Sequence, residues 1–334
     1  MKWHVLTPFL QTRDQAWLTD KVQGHQFNIV PAGYQHDRLR ARASWRDWGD
    51  YLGHTLRGWR EMGRHDGLIT SFPQLAGTCG LLKRMTRQAG PLVAWNFNLG
   101  ALYEGQQQRA SRFMLSAVDV FVVHSRHECQ TYSQWLGLPE SRFEFVPLGI
   151  GVVQPWATED REQPFVLAMG TANRDWRTLF AAVERLGCRT VVVTPLRTLE
   201  GLQIPPQVEV LTQLSLRQCH ELCQRATVNV IPIENVDTAS GQVTLVEAMM
   251  FGRATVATRC PGTEDMATDG LQTLLVPPAD PQAMAAAIEA LWRDEALRQR
   301  IGQAAQEHTW TELSEAAESR RMQRILDRLG SASA

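Results

Sequence analysis

The sequence has no long apolar run. None of its hydrophobic stretches approaches the roughly 18 residues that a membrane-spanning helix requires, so we do not expect an integral membrane protein. Net charge is also nearly absent, because 34 Lys and Arg residues stand against 35 Asp and Glu residues, which leaves −1. Nucleic-acid-binding domains usually carry a basic excess, and we therefore expect no nucleic-acid partner.

Cysteine is sparse, with six residues scattered over a chain of 334. This pattern is typical of reduced thiols in a cytosolic protein. Cys219 and Cys223 lie one helical turn apart with His220 between them, but no second ligand pair follows nearby, so we expect no metal site. The first residues lack the apolar core and the small-residue cleavage site of a signal peptide. We therefore expect a cytoplasmic protein.

The sequence does contain a regular alternation of short apolar runs and amphipathic segments. Alternation of this kind predicts an α/β fold, with parallel sheets covered by helices on both faces. Two series of strands predict two Rossmann-like, doubly wound domains that face a central crevice. We expect a first domain at 1–150, a linker at 151–163, a second domain at 164–312 and a final helix at 313–330. The predicted strands are 3–7, 27–31, 67–70, 92–95, 118–124, 142–147, 165–169, 190–194, 208–211, 228–231, 254–257 and 273–276.

One segment of the second half has the features of an anion site. After the apolar run Val228–Ile233 and a polar loop, Ser240, Gly241 and Gln242 stand at the predicted start of a helix. Ser240 is a suitable N-cap, and Gly241 allows a ligand close to the backbone. Helix-start N–H groups and the helix dipole attract anions. Glu247 lies on the same face, about 10 Å further along, so a diphosphate and a sugar hydroxyl could be held together.

The residues that follow carry a resemblance to a known family. The run Glu247–Met249 and Gly252 resemble the second half of the signature helix of family-4 retaining glycosyltransferases, which have the GT-B fold. Those enzymes usually have a first glutamate where this chain has Ala239. The resemblance extends over about 92–292. It implies a GT-B architecture, in which the first domain holds the acceptor and the second binds the nucleotide sugar.

The resemblance also implies a set of nucleotide-binding residues. Gly170, after the strand 165–169, is similar to the glycine that opens the family's nucleotide domain. Arg174 stands near the family's phosphate-binding basic residues, and Arg177 is the next candidate. An alternative stays open, in which Arg174 is a surface charge and Glu247 is a solvated helix carboxylate. The expected nucleotide site consists of Gly170, Arg174, Arg177, Ser240, Gly241, Gln242 and Glu247.

Three further residues are candidates for the chemistry. Glu264 lies in a segment similar to the family's closing motif, where it either faces the sugar or satisfies a helix N-terminus. His124 ends a strand at the expected crevice, where a satisfied core histidine is the favoured interpretation and a catalytic group the other. Asn98 follows the strand 92–95, where the family commonly has a histidine, and is a candidate contact for acceptor or sugar.

The activity that the resemblance implies is transfer of a sugar, with retention, from a UDP- or GDP-sugar to a sugar, glycolipid or small-molecule acceptor. The helix start and Arg174 would stabilise the leaving diphosphate, so neither a metal ion nor another cofactor is expected. Two alternatives stay open. One is a sugar-nucleotide epimerase on the same fold, and the other is an inactive nucleotide-sugar-binding module, which the two departures from the family pattern favour.

The stretch 38–64 combines several arginines with Trp45, Trp48 and Trp59. One interpretation is an amphipathic helix that covers the first sheet. The other is an interfacial surface that meets anionic lipid headgroups or a polyprenyl-linked acceptor. The second interpretation predicts a peripheral contact with the inner face of the membrane.

Overall fold

The structure, a computed structural model, describes residues 1–35, 44–100, 102–234 and 239–332. It divides into two units. Met1–Val146 and Glu318–Ala334 form the first unit, and Pro147–Ala317 form the second. Part of the stretch 38–64, residues 38–43, lies outside the described residues.

The first unit alternates strands and helices. A parallel sheet of this kind needs apolar residues on both faces of each strand, and β3, β4 and β5 are buried along their whole length. The elements are β1 Lys2–Leu6, β2 Gln26–Ile29, α1 Trp45–Glu61, β3 Gly67–Ser71, α2 Pro73–Thr86, β4 Leu92–Trp95, α3 Gln106–Leu115, β5 Val120–Val123, α4 Arg126–Leu136 and β6 Phe143–Phe145.

The second unit repeats the pattern with a second set of strands. Its elements are β7 Val166–Met169, α5 Trp176–Leu186, β8 Thr190–Val193, β9 Val208–Leu211, α6 Leu216–Arg225, β10 Val228–Ile231, α7 Gln242–Met250, β11 Thr255–Thr258, α8 Pro261–Glu264, β12 Leu274–Val276, α9 Pro281–Arg293 and α10 Glu295–Glu312. The last helix, α11, runs over Glu315–Ala332, and its residues from Glu318 onward belong to the first unit.

The sheet of the first unit has six parallel strands in the order β2-β1-β3-β4-β5-β6. Successive side chains of a strand point to opposite faces, and the two faces have separate cores. Leu68 packs in a cluster with Ala76 of α2. Its neighbour Ile69 packs in another cluster with Met322 and Leu326 of α11. Helix α11 therefore completes one face of the first sheet.

The sheet of the second unit also has six parallel strands, in the order β12-β11-β10-β7-β8-β9. From β7 the chain crosses through α5 to β8, and from β10 it crosses through α7 to β11 on the other side. Side chains of α5 and α9 share a core on one face of the sheet, while α6 and α7 pack on the other. The strand order thus reverses between β7 and β10, which is the topological switch point of a doubly wound fold.

These two sheets confirm the α/β class and the pair of Rossmann-like units. The strands at 92–95, 208–211 and 228–231 are found with the predicted bounds, whereas β5 spans Val120–Val123 rather than 118–124. Helix α10 was not expected as a separate element. It begins where Asp294, the last residue before it, accepts a hydrogen bond from Leu297 N, so a new helix starts immediately after α9.

A glycine contact between α10 and the end of α7 is open to test. A Cβ at Gly302 would lie 2.2 Å from Gly252 O. We expect Gly302→Ala to lower the free energy of unfolding by about 1–3 kcal/mol, as overpacking does, although alanine is the better helix former. Gly53→Ala in α1 is the matched control, since its Cβ would meet nothing nearer than Arg57 Nη1 at 3.9 Å. The control should gain about 0.5–1 kcal/mol. Chemical denaturation measures both, and equal changes would contradict the contact.

Candidate functional site

The second unit contains a cleft at its switch point. Parallel sheets bind ligands at the carboxyl ends of the strands, where neighbouring connections diverge. Here the chain leaves β7 through Gly170, and an isolated bridge joins Arg174 to Ile233, which follows β10. The cleft has a volume of about 670 Å³. Its walls are Met169, Gly170 and Thr171, Val193–Leu196, Thr212–Leu214, Leu216 and Cys219, and Val243, Thr244 and Glu247 of α7.

The Arg174 side chain folds back across Gly170. Arg174 Nε donates to Met169 O at 3.0 Å, Nη1 to Ala172 O at 2.9 Å and Nη2 to Thr244 Oγ1 at 3.0 Å. A Cβ on Gly170, which has φ +139°, would lie 2.4 Å from Arg174 Nε, so this contact requires glycine. Burial lowers the pKa of Arg174 to about 10. The guanidinium therefore stays charged at neutral pH, and those hydrogen bonds go to neutral groups.

Helix α7 begins beside this arginine. The expectation that Ser240 caps the helix is wrong, because Gly241 is the N-cap and no side chain caps α7. The Ser240 hydroxyl instead accepts a hydrogen bond from Asn173 Nδ2 at 2.7 Å. Gly241 has φ +76°, and a Cβ there would meet Ile233 Cδ1 at 2.7 Å. The first turn of α7, from Gln242, thus presents backbone N–H groups at the switch point.

Glu247 stands on the cleft wall about 7.5 Å along the axis from Gln242. Its Oε1 lies 3.3 Å from His220 Nε2 of α6, and both side chains are largely buried. The His220 ring packs against Phe251, with ring centres 5.1 Å apart, and against Trp156, at 6.2 Å. The aromatic rings fix the imidazole, and the imidazole holds one oxygen of the carboxylate.

The two other predicted residues of this unit lie elsewhere on its surface. Arg177 is exposed in the first turn of α5 and lines a separate depression with Phe180 and Leu202, so the structure does not bring it to the cleft. Glu264 ends the short helix α8, and its carboxylate pairs with Arg259 at 3.1 Å, where both side chains are exposed to solvent. The backbone of α8 does lie against the start of α7, since a Cβ on Gly262 would meet Ser240 N at 2.6 Å.

Asn98 and His124 belong to the first unit. His124 Nδ1 lies 2.7 Å from Val146 O, and Nε2 lies 2.7 Å from Asn96 Oδ1. Burial lowers the pKa of His124 below its ordinary value, against a smaller opposite effect of the Val146 carbonyl. Both nitrogens are thus engaged internally, as in a structural histidine. Asn98 accepts a hydrogen bond from Gly100 N at 2.7 Å and lines a cavity of this unit.

Sequence reasoning missed three side chains at the cleft. His220 was considered only as part of a metal motif with its flanking cysteines. Thr244 and Asn173, which hold Arg174 and Ser240, carry no local signal, because each acts on a partner about 70 residues away along the chain. Within the described ranges, no three His, Cys, Asp or Glu side chains are placed to hold a metal ion.

Known proteins share this architecture. Residues 165–294 match the family model described as glycosyl transferases group 1. A glycosyltransferase from Rickettsia africae has 13% identity and a TM-score of 0.69, over 98% of each chain. HepE from Anabaena, solved in complex with UDP, has 12% identity and a TM-score of 0.70 over 98% of this chain and 100% of that one. A sucrose-phosphate synthase from Thermosynechococcus elongatus has 16% identity and a TM-score of 0.69 over 99% and 89%.

No curated protein matches the sequence at a significant level. The fold nevertheless places the chain in the GT-B class of two Rossmann-like units, as the sequence resemblance predicts. Its segment 165–294 is similar to the group 1 glycosyl transferases. The fold and this match agree with the family resemblance of the sequence.

The contacts of Arg174 predict that it supports the fold of the cleft. Arg174→Met removes hydrogen bonds to two carbonyls and a hydroxyl, and we expect a loss of about 2–3 kcal/mol in the free energy of unfolding. Arg177→Met is the matched control, because that arginine is exposed, and it should change the same quantity by less than about 0.5 kcal/mol. Thermal unfolding with calorimetry measures both. Similar losses in the two variants would show that the contacts of Arg174 do not stabilise the cleft.

Proposed function

We propose that this protein is a glycosyltransferase that moves a sugar from a nucleoside-diphosphate sugar to an acceptor hydroxyl. The observation that carries the proposal is the switch-point cleft, whose wall includes Thr244, which is hydrogen-bonded to Arg174, and Glu247 further along α7. Helix-start N–H groups and a guanidinium suit a diphosphate. A carboxylate suits the vicinal hydroxyls of a ribose, because it accepts two hydrogen bonds. The axial span of about 7.5 Å suits the two ends of one nucleotide.

The remaining wall of the cleft supports a nucleotide as the ligand. Apolar side chains form part of it, among them Pro195, Leu196, Leu214 and Leu216. A flat, uncharged ring system such as a nucleobase would be desolvated favourably against these side chains. UDP is our first choice of nucleotide, because HepE was solved with UDP and with UDP-glucose.

We propose that the reaction proceeds without a metal ion and with retention at the anomeric carbon. Negative charge grows on the diphosphate as the sugar leaves, and fixed positive groups stabilise it. Arg174 can supply such charge, because it donates hydrogen bonds to two carbonyls and a hydroxyl, which are neutral groups. The diphosphate would accept hydrogen bonds from this guanidinium and from the first turn of α7. The absence of a side chain at Gly170 and Gly241 lets Arg174 and Ile233 pack against the backbone there.

Binding of the nucleotide should depend on Glu247. Glu247→Ala removes both hydrogen bonds to the ribose, and we expect UDP binding to weaken by about 2–3 kcal/mol. Glu289→Ala is the control, since Glu289 lies in α9 and pairs with Arg293 at 2.6 Å, away from the cleft wall. Isothermal titration of the folded variants with UDP gives the affinities. Unchanged affinity in Glu247→Ala would remove Glu247 from the nucleotide site.

Turnover of labelled UDP-glucose separates the proposed transferase from its alternatives. Transfer, or slow hydrolysis that releases UDP, supports a transferase, and NMR of the anomeric proton reports retention or inversion. Conversion into an epimer would indicate the sugar-nucleotide epimerase, and binding without turnover the inactive module. We expect turnover to survive EDTA. Loss of activity in EDTA, with recovery on addition of a divalent ion, would contradict the metal-free scheme.

We also propose that the protein is cytoplasmic and that it makes a peripheral contact with anionic lipid at the inner face of the membrane. Helix α1 buries Tyr51 and His54, whereas Trp45, Leu52 and Leu56 are more than two-fifths exposed, so an apolar stripe faces outward. Among the described residues, no helix combines the length and the apolar character that crossing a bilayer requires. Co-sedimentation with vesicles of anionic lipid should fall when Leu52 and Leu56 are replaced by serine. Equal sedimentation of wild type and variant would contradict the contact.

A further inference from the structure

A largely buried histidine that the proposed function does not use lies behind Glu247. His220 belongs to α6, and its side chain is 10% exposed. Of the described residues, Glu247 lines the switch-point cleft, whereas His220 does not. His220 Nε2 lies 3.3 Å from Glu247 Oε1. Because an ionised carboxylate only accepts hydrogen bonds, Nε2 carries the proton in this contact. His220 therefore reaches a ligand in the cleft through Glu247.

Two aromatic rings hold the imidazole in this place. Phe251, at the end of α7, meets the His220 ring edge-on, with ring centres 5.1 Å apart. Trp156, which precedes β7, contacts the same ring at 6.2 Å and the Phe251 ring at 5.7 Å. The three rings contact one another pairwise, which leaves the imidazole few orientations. A side chain that positions another must itself be locked by packing, and His220 meets this requirement.

The segment that carries Trp156 is hydrogen-bonded to α6. Gln224, which is fully buried one turn after His220, accepts hydrogen bonds at Oε1 from Trp156 N at 2.6 Å and Ala157 N at 3.0 Å. Its Nε2 donates to His220 O at 3.0 Å. The Arg217 guanidinium lies over the Trp156 ring, 5.3 Å from its centre, in a cation–π contact. Helix α6 thus fixes both the histidine and the ring that packs on it.

These contacts form a chain from Trp156 through His220 to Glu247. A glutamate side chain loses rotamer freedom when a ligand fixes it. His220 fixes one oxygen of Glu247 before a ligand binds, so this loss is smaller on binding. The imidazole N–H uses one lone pair of Oε1, and the other lone pairs of the carboxylate stay available to hydroxyl groups.

We infer that His220 is a positioning residue for nucleotide recognition and that Trp156 acts on the nucleotide site through it. The inference rests on the proposed function, because it takes Glu247 to bind the ribose. It goes further in assigning a share of the selectivity for ribose hydroxyls to two residues outside the lining of the cleft.

Two ligands separate a positioning role from a structural one. UDP carries both ribose hydroxyls, and 2′,3′-dideoxy-UDP has the same base and diphosphate without them. Isothermal titration of wild type should show a preference for UDP of about thirtyfold or more. His220→Leu should reduce this preference by about three- to tenfold and leave the affinity for 2′,3′-dideoxy-UDP unchanged. His220→Gln, which keeps an N–H donor near the position of Nε2, should restore the preference.

A second histidine of the same unit provides the matched control. His308 lies in α10 and contacts Met266 O at 3.1 Å, so His308→Leu should leave the preference for UDP unchanged. Equal weakening of both ligands by His220→Leu would show a structural role and overturn the inference. A preference that His220→Leu retains in full would overturn it as well.

Trp156→Leu tests the coupling at a position that tolerates replacement, since Trp156 is 40% exposed. This change should lower the preference for UDP about two- to threefold in wild type and not at all in His220→Leu, because residues that act through one contact are not additive. Trp292→Leu is the control, since Trp292 packs in the core on the other face of the sheet, and it should change neither value. Additive effects of Trp156→Leu and His220→Leu would overturn the coupling.

The same titrations separate this inference from the proposed function. A wild-type preference for UDP that falls in His220→Leu and disappears in Glu247→Ala supports both. A preference that disappears in Glu247→Ala but is unchanged in His220→Leu overturns the inference and leaves the ribose assignment in place. Wild type that binds both ligands equally, or neither, contradicts the ribose assignment and overturns the inference with it.

Discussion

The second unit depends on a side-chain tie across its switch point. At this point the connections from β7 and β10 diverge, after a short bridge between Arg174 and Ile233. Arg174 spans the gap, with Nε on Met169 O and Nη2 on Thr244 Oγ1. The absence of a side chain on Gly170 leaves room for this tie. The divergence that opens the cleft is therefore the same one that the Arg174 side chain spans.

The tie also shapes the electrostatics of the cleft. A surface arginine is usually neutralised by a carboxylate, as Arg259 is by Glu264 and Asp269. Arg174 instead donates to two carbonyls and a hydroxyl, which are neutral, and its burial lowers its pKa only to about 10. Its charge is held in place by these hydrogen bonds, so an anion in the proposed nucleotide site would meet a group that needs little reorganisation. Glu247, held by His220, is the second fixed charge of the cleft.

Local pattern predicted the sheets well, because buried parallel strands are continuous apolar runs. Strand β4 was expected at 92–95 and is found there. The partners of the polar side chains at the cleft depend on tertiary contacts, which the sequence did not reveal. Ser240 has the chemistry of an N-cap, but its hydroxyl accepts a hydrogen bond from Asn173 Nδ2. The N-cap residue of α7 is Gly241. His220 looked like part of a metal motif, whereas its partner is a carboxylate from the next helix. Only the folded chain brings such pairs together.

Helix α11 has a consequence for biosynthesis. One face of the first sheet, including Trp3 and Ile69, is covered by Met322 and Leu326. During translation, Trp3 emerges from the ribosome about 320 residues, and Ile69 about 250 residues, before Met322 of the helix that covers them. The apolar surface of the nascent first unit therefore stays exposed while the second unit is synthesised. Transiently exposed apolar surface of this kind favours aggregation of the incomplete chain.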